Sequence, residues 1–285
     1  MNVTQYKGSQ NSGLSNTGRG NSPSIWADCP WLEIQAGVKD GITFFDDFLR
    51  FPLAAGTQTT EIGFGDGYKV YATTAGTVIR DSMPHASGGT QAGGAISMLC
   101  DTAGDQAVIG TAQAPFSLAT TAKKLWFEAR IATTSIATNM THIFCGLGNV
   151  GDVTFGAAIP LADADATGTA VALAGITRLE DGLGVLNASY TDEAATYTHA
   201  ETGLGAIAAN TWVKVGFTFD PARGSSCLEF FVNGVKGGSP VSKATWAALT
   251  HLDASNMGPV FAQFADTGGT ANYAYMDWWR CAQLL

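Results

Sequence analysis

Two runs constrain the fold more than anything else in the chain: Trp212-Val-Lys-Val-Gly-Phe-Thr-Phe-Asp220 and Cys227-Leu-Glu-Phe-Phe-Val-Asn-Gly234. In the first, Val213, Val215, Phe217 and Phe219 share one face of a period-two strand, and Lys214, Thr218 and Asp220 share the other. Leu228, Phe230 and Val232 repeat the pattern in the second. The segment between them, Pro221-Ala-Arg-Gly-Ser-Ser226, is rich in turn formers, and the second strand is expected to stop at Asn233-Gly234. Two alternating strands on a short loop make an antiparallel hairpin. A lone hairpin is not stable in water, so this one must sit within a larger sheet.

The rest of the chain supplies that sheet. Tyr68–Ala72 and Thr77–Arg80 read as strands about a Thr-Thr-Ala-Gly turn, and Ala95–Cys100 and Gln106–Gly110 read as further buried strands. In Leu125-Trp-Phe-Glu-Ala-Arg-Ile131, the residues Leu125, Phe127, Ala129 and Ile131 face inward. Trp126, Glu128 and Arg130 face outward, the two charges as a solvated pair. His142–Leu147 is another strand. Ile176–Leu179 and Leu183–Tyr190 form a second hairpin about Asp181-Gly182. Ser242–Leu252 predicts a short helix capped by Ser242, with Trp246 and Leu249 on one face. Val260–Phe264 and Tyr273–Arg280 close the chain as strands. Many short strands with little helix predict a β-sandwich or jelly roll.

At 285 residues such a chain can bury roughly 75% of its unfolded surface. Only 14% of its residues are charged, against a usual ~25%, and 35 are glycine. The net charge of −9 makes nucleic acid an unsuitable partner, because phosphate binding needs a basic face. Five well-separated cysteines (29, 100, 145, 227 and 281) with no Cys-x-x-Cys read as buried free thiols. No leader pattern and no apolar run of membrane-spanning length occurs, so the expectation is a protein made in the cytoplasm that does not cross a membrane.

Residues 1–24 are almost wholly Gly, Ser, Asn, Thr and Gln. Such a stretch cannot bury enough apolar area to offset its ordering entropy. The chain therefore divides into an extended N-terminal arm, 1–40, and a globular body, 41–285. Lys7 and Arg19 are the only charges of residues 1–27, so the arm is basic and the body acidic. Ile25, Trp26, Trp31 and Leu32 are large apolar anchors along this polar strip. They either cover an edge of their own domain or dock the arm on a neighbouring copy. With Tyr6, Lys7, Leu14 and Arg19 they form the candidate partner-binding set.

Leu125–Ile131, Phe144-Cys-Gly-Leu-Gly148, the Trp212–Asp220 strand with Phe230-Phe-Val-Asn-Gly234, and the closing Tyr275-Met-Asp-Trp-Trp279 together resemble the concanavalin A-like jelly roll over roughly residues 41–285. The resemblance implies a two-sheet sandwich whose last strand returns near the first. It does not fix a function, since lectins, glucanases and structural modules share this architecture. The leading Phe44-Phe-Asp-Asp-Phe48 and the low-complexity arm also resemble virion proteins of tailed phages, many of them capsid decoration or tail-associated components.

Laminarinase-type glucanases of this fold carry Glu-x-Asp-x-x-Glu, two carboxylates set across the sugar. None of the seven Glu residues here begins that pattern. No Gly-x-Ser-x-Gly, His-Glu-x-x-His or EF-hand loop occurs. His85, His142, His199 and His251 stand apart, and Asp163 and Asp165 are the one pair that could contribute to a calcium site. The expectation is a non-enzymatic protein with no catalytic residues, cofactor or metal. The expected role, implied by the resemblance to phage virion proteins, is that of a capsid decoration (cement) protein on the virion exterior, contacting the major capsid protein and self-associating as a homo-trimer. The alternative is a lectin-like appendage in which Trp126, Trp278 or Trp279 stacks on a host glycan.

Overall fold

The computed structural model describes residues 18–48, 62–64, 67–72, 77–80, 95–137, 142–149, 172–179, 183–191, 198–249, 256–265 and 272–285. These residues form two sheets in which every pairing is antiparallel. Sheet 1 runs β15 (Val235–Val241), β14 (Leu228–Val232), β13 (Val213–Phe219), β8 (Leu125–Thr133), β17 (Asn272–Leu284), β5 (Ile96–Cys100) and β4 (Thr77–Arg80), and β1 (Gly41–Asp46) also pairs with β17. Sheet 2 runs β12 (Thr198–Ala206), β11 (Val185–Thr191), β10 (Leu173–Arg178), β9 (His142–Gly148), β16 (Asn256–Phe264), β6 (Gln106–Thr111), β3 (Tyr68–Ala72) and β2 (Ile62–Phe64), with β7 (Phe116–Ser117) on β16. The all-β sandwich expected from the alternating patterns is present, and the last strand lies beside the first.

The core forms where the inward residues of both sheets meet. Phe127, Val215, Phe217, Phe230, Met276 and Trp279 come from sheet 1, and Val70, Ile109, Cys145, Ile176, Leu186 and Phe261 from sheet 2. Phe127 and Phe217, paired across β8 and β13, stack with ring centroids 5.2 Å apart. All five cysteines are free and buried, as expected. Burial pushes the Cys29 and Cys227 thiols up to about 12 and the other three higher still.

The central hairpin forms as expected, but β14 does not end the sheet. Asn233 (φ 49°) and Gly234 (φ 69°) make a two-residue turn of positive φ, and β15 folds back onto β14. Local readings of the sequence also shift. β15 and β12 went unseen in the sequence because neither alternates cleanly. Tyr68–Ala72 and Thr77–Arg80 are strands, but they belong to opposite sheets and do not form a hairpin. The predicted helix is α3 (Lys243–Ala247), shorter than expected. Ser242 Oγ accepts from Thr245 N at 3.1 Å as its cap, and Trp246 is buried with its Nε1 donating to Leu118 O at 2.7 Å.

The largest difference is in the arm. Residues 23–35 are not extended. They form α1 (Pro23–Trp26) and α2 (Trp31–Gln35), both lying against sheet 1 on the side away from the core. Pro23 at the first helical position suits α1, because its missing N–H and fixed φ cost nothing there.

Candidate functional site: the covered outer face of sheet 1

Outward positions of β8, β13, β14 and β17 carry the side chains that receive the N-terminal segment. Gly216, in the middle of β13, makes the close approach possible. A Cβ there would lie 2.4 Å from Phe127 O and 2.9 Å from Ile25 Cδ1. Into this space go Ile25 and Trp26, both buried, which with Cys29 cluster against Trp126, Phe231 and Ala282. Trp31 stacks on Phe45 with ring centroids 3.3 Å apart and planes at 6°. Trp26 meets the same ring edge-on at 5.5 Å.

Polar contacts flank that apolar patch. Glu128 is fully buried, and its Oε2 accepts from Ser22 N at 3.0 Å and Trp26 Nε1 at 2.8 Å. Lys214 Nζ donates to Gly20 O at 2.8 Å. Burial raises the Glu128 carboxyl and lowers the Lys214 ammonium, so low polarity pushes both toward their neutral forms while their mutual attraction opposes it. Asp28 Oδ1 accepts from Trp126 Nε1 at 2.8 Å and its other oxygen pairs with Lys124.

The register shift of β17 against β8 between Met276 and Trp278 makes room for Asp277. Met276 and Trp279 stay in the core on either side of the bulge, and the Asp277 carboxylate, 1% exposed, meets two arginines. Arg19 approaches through Nε at 2.9 Å and Nη2 at 2.5 Å, a bidentate pair, and Arg130 through Nη1 at 2.6 Å. Arg130 in turn lies 4.7 Å over the Trp212 ring.

Among the expected partner-binding residues, the structure thus brings Arg19, Ile25, Trp26 and Trp31 onto the outer face of their own sandwich. Leu32 remains at the surface, 36% exposed. Tyr6, Lys7 and Leu14 lie outside the described residues. The expectation that Glu128 and Arg130 form a solvated pair is corrected: the segment over them removes Glu128 from water and each finds a different partner. The glycan-stacking candidates are corrected too, for Trp126, Trp278 and Trp279 are all at most 1% exposed. Asp163, Asp165, His85 and His251 lie outside the described residues, as does the side chain of His199. His142 is buried at the start of β9. Among the described residues, no three His, Cys, Asp or Glu side chains gather as a metal site.

Sequence reasoning missed Glu128, Lys214 and Asp277 as the segment's receptors. A signal was present: a glycine amid the long side chains of β13, and apolar Trp126 and Phe231 at positions that should face water. Both mark a strand face that another part of the chain approaches.

No protein-family model matches the sequence, and no curated protein matches it. Among solved structures the chain is similar to a protein of unknown function from Shewanella oneidensis MR-1, at 14% identity over 90% of this chain and 94% of that one, with a TM-score of 0.53. It is also similar to peanut lectin (11% identity, 86% and 99% covered, TM-score 0.49) and to an endo-1,3-beta-glucanase from Streptomyces sioyaensis (13%, 86% and 97%, 0.45). The likeness to the Shewanella protein is one of architecture: this chain folds as a β-sandwich of two antiparallel sheets.

Proposed function

We propose that the protein is a non-enzymatic assembly component of a virion, a capsid decoration protein that sits on the capsid exterior and holds neighbouring subunits together. The observation that carries this reading is the clamping of residues 18–35 onto the outer face of sheet 1 by Arg19, Ser22, Ile25 and Trp26. The clamp gives the 17 residues ahead of it a defined starting point on a rigid body. Seventeen residues reach at most about 60 Å, enough to engage an adjacent subunit. A body and a tether that bind together gain avidity through effective concentration, with no need for a strong single contact. Because Ile25 and Trp26 are used within the chain, contacts to the major capsid protein, or to other copies in a trimer, fall to Tyr6, Lys7, Leu14 and the exposed Leu32. The virion setting itself rests on the resemblance of the arm and the Phe44–Phe48 run to phage structural proteins.

Co-sedimentation with capsids stripped of accessory proteins tests the reading, comparing the full chain with one that starts at Gly18. That cut spares the clamp, whereas a cut at Gly41 would uncover Trp126, Phe231 and Glu128. Saturable binding by the full chain, weakened by the truncation, is the expected result. Absence of binding by both chains would overturn the proposal.

A further inference from the structure

Residues 18–35 are held by partners that every copy of the chain offers equally. Arg19 binds Asp277, Gly20 O accepts from Lys214, and Ser22 N and Trp26 Nε1 donate to Glu128. Ser24 Oγ donates to Gly234 O, and Asp28 meets Trp126 and Lys124. Trp31 lies on Phe45, and Ile34 packs where Gly41 leaves room, for a Cβ at Gly41 would lie 2.9 Å from Ile34 Cδ1. All of these partners belong to the body, from residue 41 onward, and none lies within the segment. The segment therefore fits a seat built wholly by the body, and the fit does not require seat and segment to share a chain.

The covalent link between them is short and open to solvent. Residues 35–40 are all exposed. Gly37, at φ 68°, turns the chain, and Gly37, Val38 and Lys39 donate back to Ile34 O and Glu33 O of α2 rather than to either sheet. Straightened, residues 36–40 reach at most about 17 Å, enough to pass to a body in contact with the first.

Apolar side chains gather at this link. Six large hydrophobic residues are exposed among the described residues, and three of them lie here. Leu32 is on α2, Val38 is within the link at 78% exposed, and Leu285 donates its N–H to Asp40 O at 3.2 Å. Single exposed hydrophobics are ordinary on a protein surface, but three around one link mark a contact. When segments cross between copies, the links pass each other and these residues meet their own equivalents. We propose that copies of this chain exchange residues 18–35, each docking the segment on the outer face of its neighbour's sheet 1. The occupant of that face is then a second copy's identical segment, and the bonds named above run between chains. This deepens the assembly reading and rests on it: adjacent subunits are joined by the same contacts that close a single chain.

Zero-length carbodiimide cross-linking of the Lys124–Asp28 ion pair tests it in the full chain. A Lys124→Arg chain and an Asp28→Asn chain are co-expressed. Neither can form this cross-link within itself, so an Asp28–Lys124 bond between them reports exchange. A covalent dimer carrying that bond is the expected result. Gly37→Val in both chains strains the folded link, because a Cβ there meets nothing within 4 Å but φ stays positive. It should let the dimer form at about tenfold lower concentration. Val38→Asp should weaken the dimer and leave docking within a monomer unchanged. An Asp28–Lys124 bond that forms in the unaltered chain but never between the two variants overturns the proposal. So does a bond between them whose yield ignores Gly37→Val, since it would mark copies lying side by side with each segment docked at home. A chain that sediments as a monomer at every concentration overturns it too. No capsid is present in these measurements, so failure here leaves the decoration reading standing, and failure of co-sedimentation leaves exchange standing.

Discussion

The two faces of sheet 1 are closed by different means. The inner face meets another sheet, and its partners are apolar groups that interlock by shape: Phe127 on Phe217, Phe217 near Phe230, Trp279 on Tyr68. The outer face meets residues 18–35, which include two short helices, and many of its contacts are charged or hydrogen bonded. The inner contacts are dominated by apolar side chains. Outer contacts depend on Glu128, Lys214, Asp277, Arg130 and Arg19, so salt and protons can act on them. The difference teaches that one sheet can carry both a permanent core and a closure of separate, lower stability.

The strongest way to break this comparison is to damage the inner face. Phe217→Ala removes a fully buried ring between two others and is expected to cost about 3–5 kcal/mol, measured by denaturant unfolding of the whole domain. Because the inner face is shared by both sheets, the loss should appear in every probe at once. If only the N-terminal segment loosened, the two faces would not be energetically distinct.

Asp277→Ala comes next. It leaves Arg130 without its carboxylate beneath the segment and frees Arg19. Removing one member of a buried ionic group costs about 3 kcal/mol, and here the effect should concentrate in the segment. Hydrogen exchange of residues 19–35 should speed up far more than that of β13 or β8. Arg19→Ala removes only the outer member, whose side chain is 43% exposed. Solvent screening limits that loss to about 1 kcal/mol or less, again confined to residues 18–30. Equal effects of the two substitutions would mean that Arg130 does not need Asp277.

How much of this was legible in the chain follows from the same contrast. The inner face is written locally: Val213, Val215, Phe217 and Phe219 alternate within seven residues, and period two is visible without knowing the partner strand. The outer closure is not local. Ser22 meets Glu128 from 106 positions away, Lys214 meets Gly20 from 194, and Arg19 meets Asp277 from 258. No window of sequence contains both ends of any of these bonds. Ile25 and Trp26 could be recognised as anchors by size alone, but not what they anchor to.

The finest test of the contrast is the pH response of the outer closure, through Glu128. Burial raises the carboxyl above its ordinary value when the segment is docked, so the docked state holds this proton more tightly than the undocked one. Its contribution is therefore fully present below the undocked carboxyl range, about 4.3, and is lost as pH rises through the docked value. Acidification from neutrality should slow hydrogen exchange of residues 20–28 as Glu128 takes up its proton, until Asp28, whose carboxyl lies below its ordinary value, protonates and its pair with Lys124 fails. Glu128→Gln keeps an acceptor for Ser22 N and Trp26 Nε1 but carries no titrating proton. It should flatten the upper part of the pH profile and hold the segment at least as firmly at neutral pH, offset by the lost attraction for Lys214. An unchanged profile in Glu128→Gln would assign the pH response elsewhere, and a response that followed the inner face as well would erase the distinction between the two sides of the sheet.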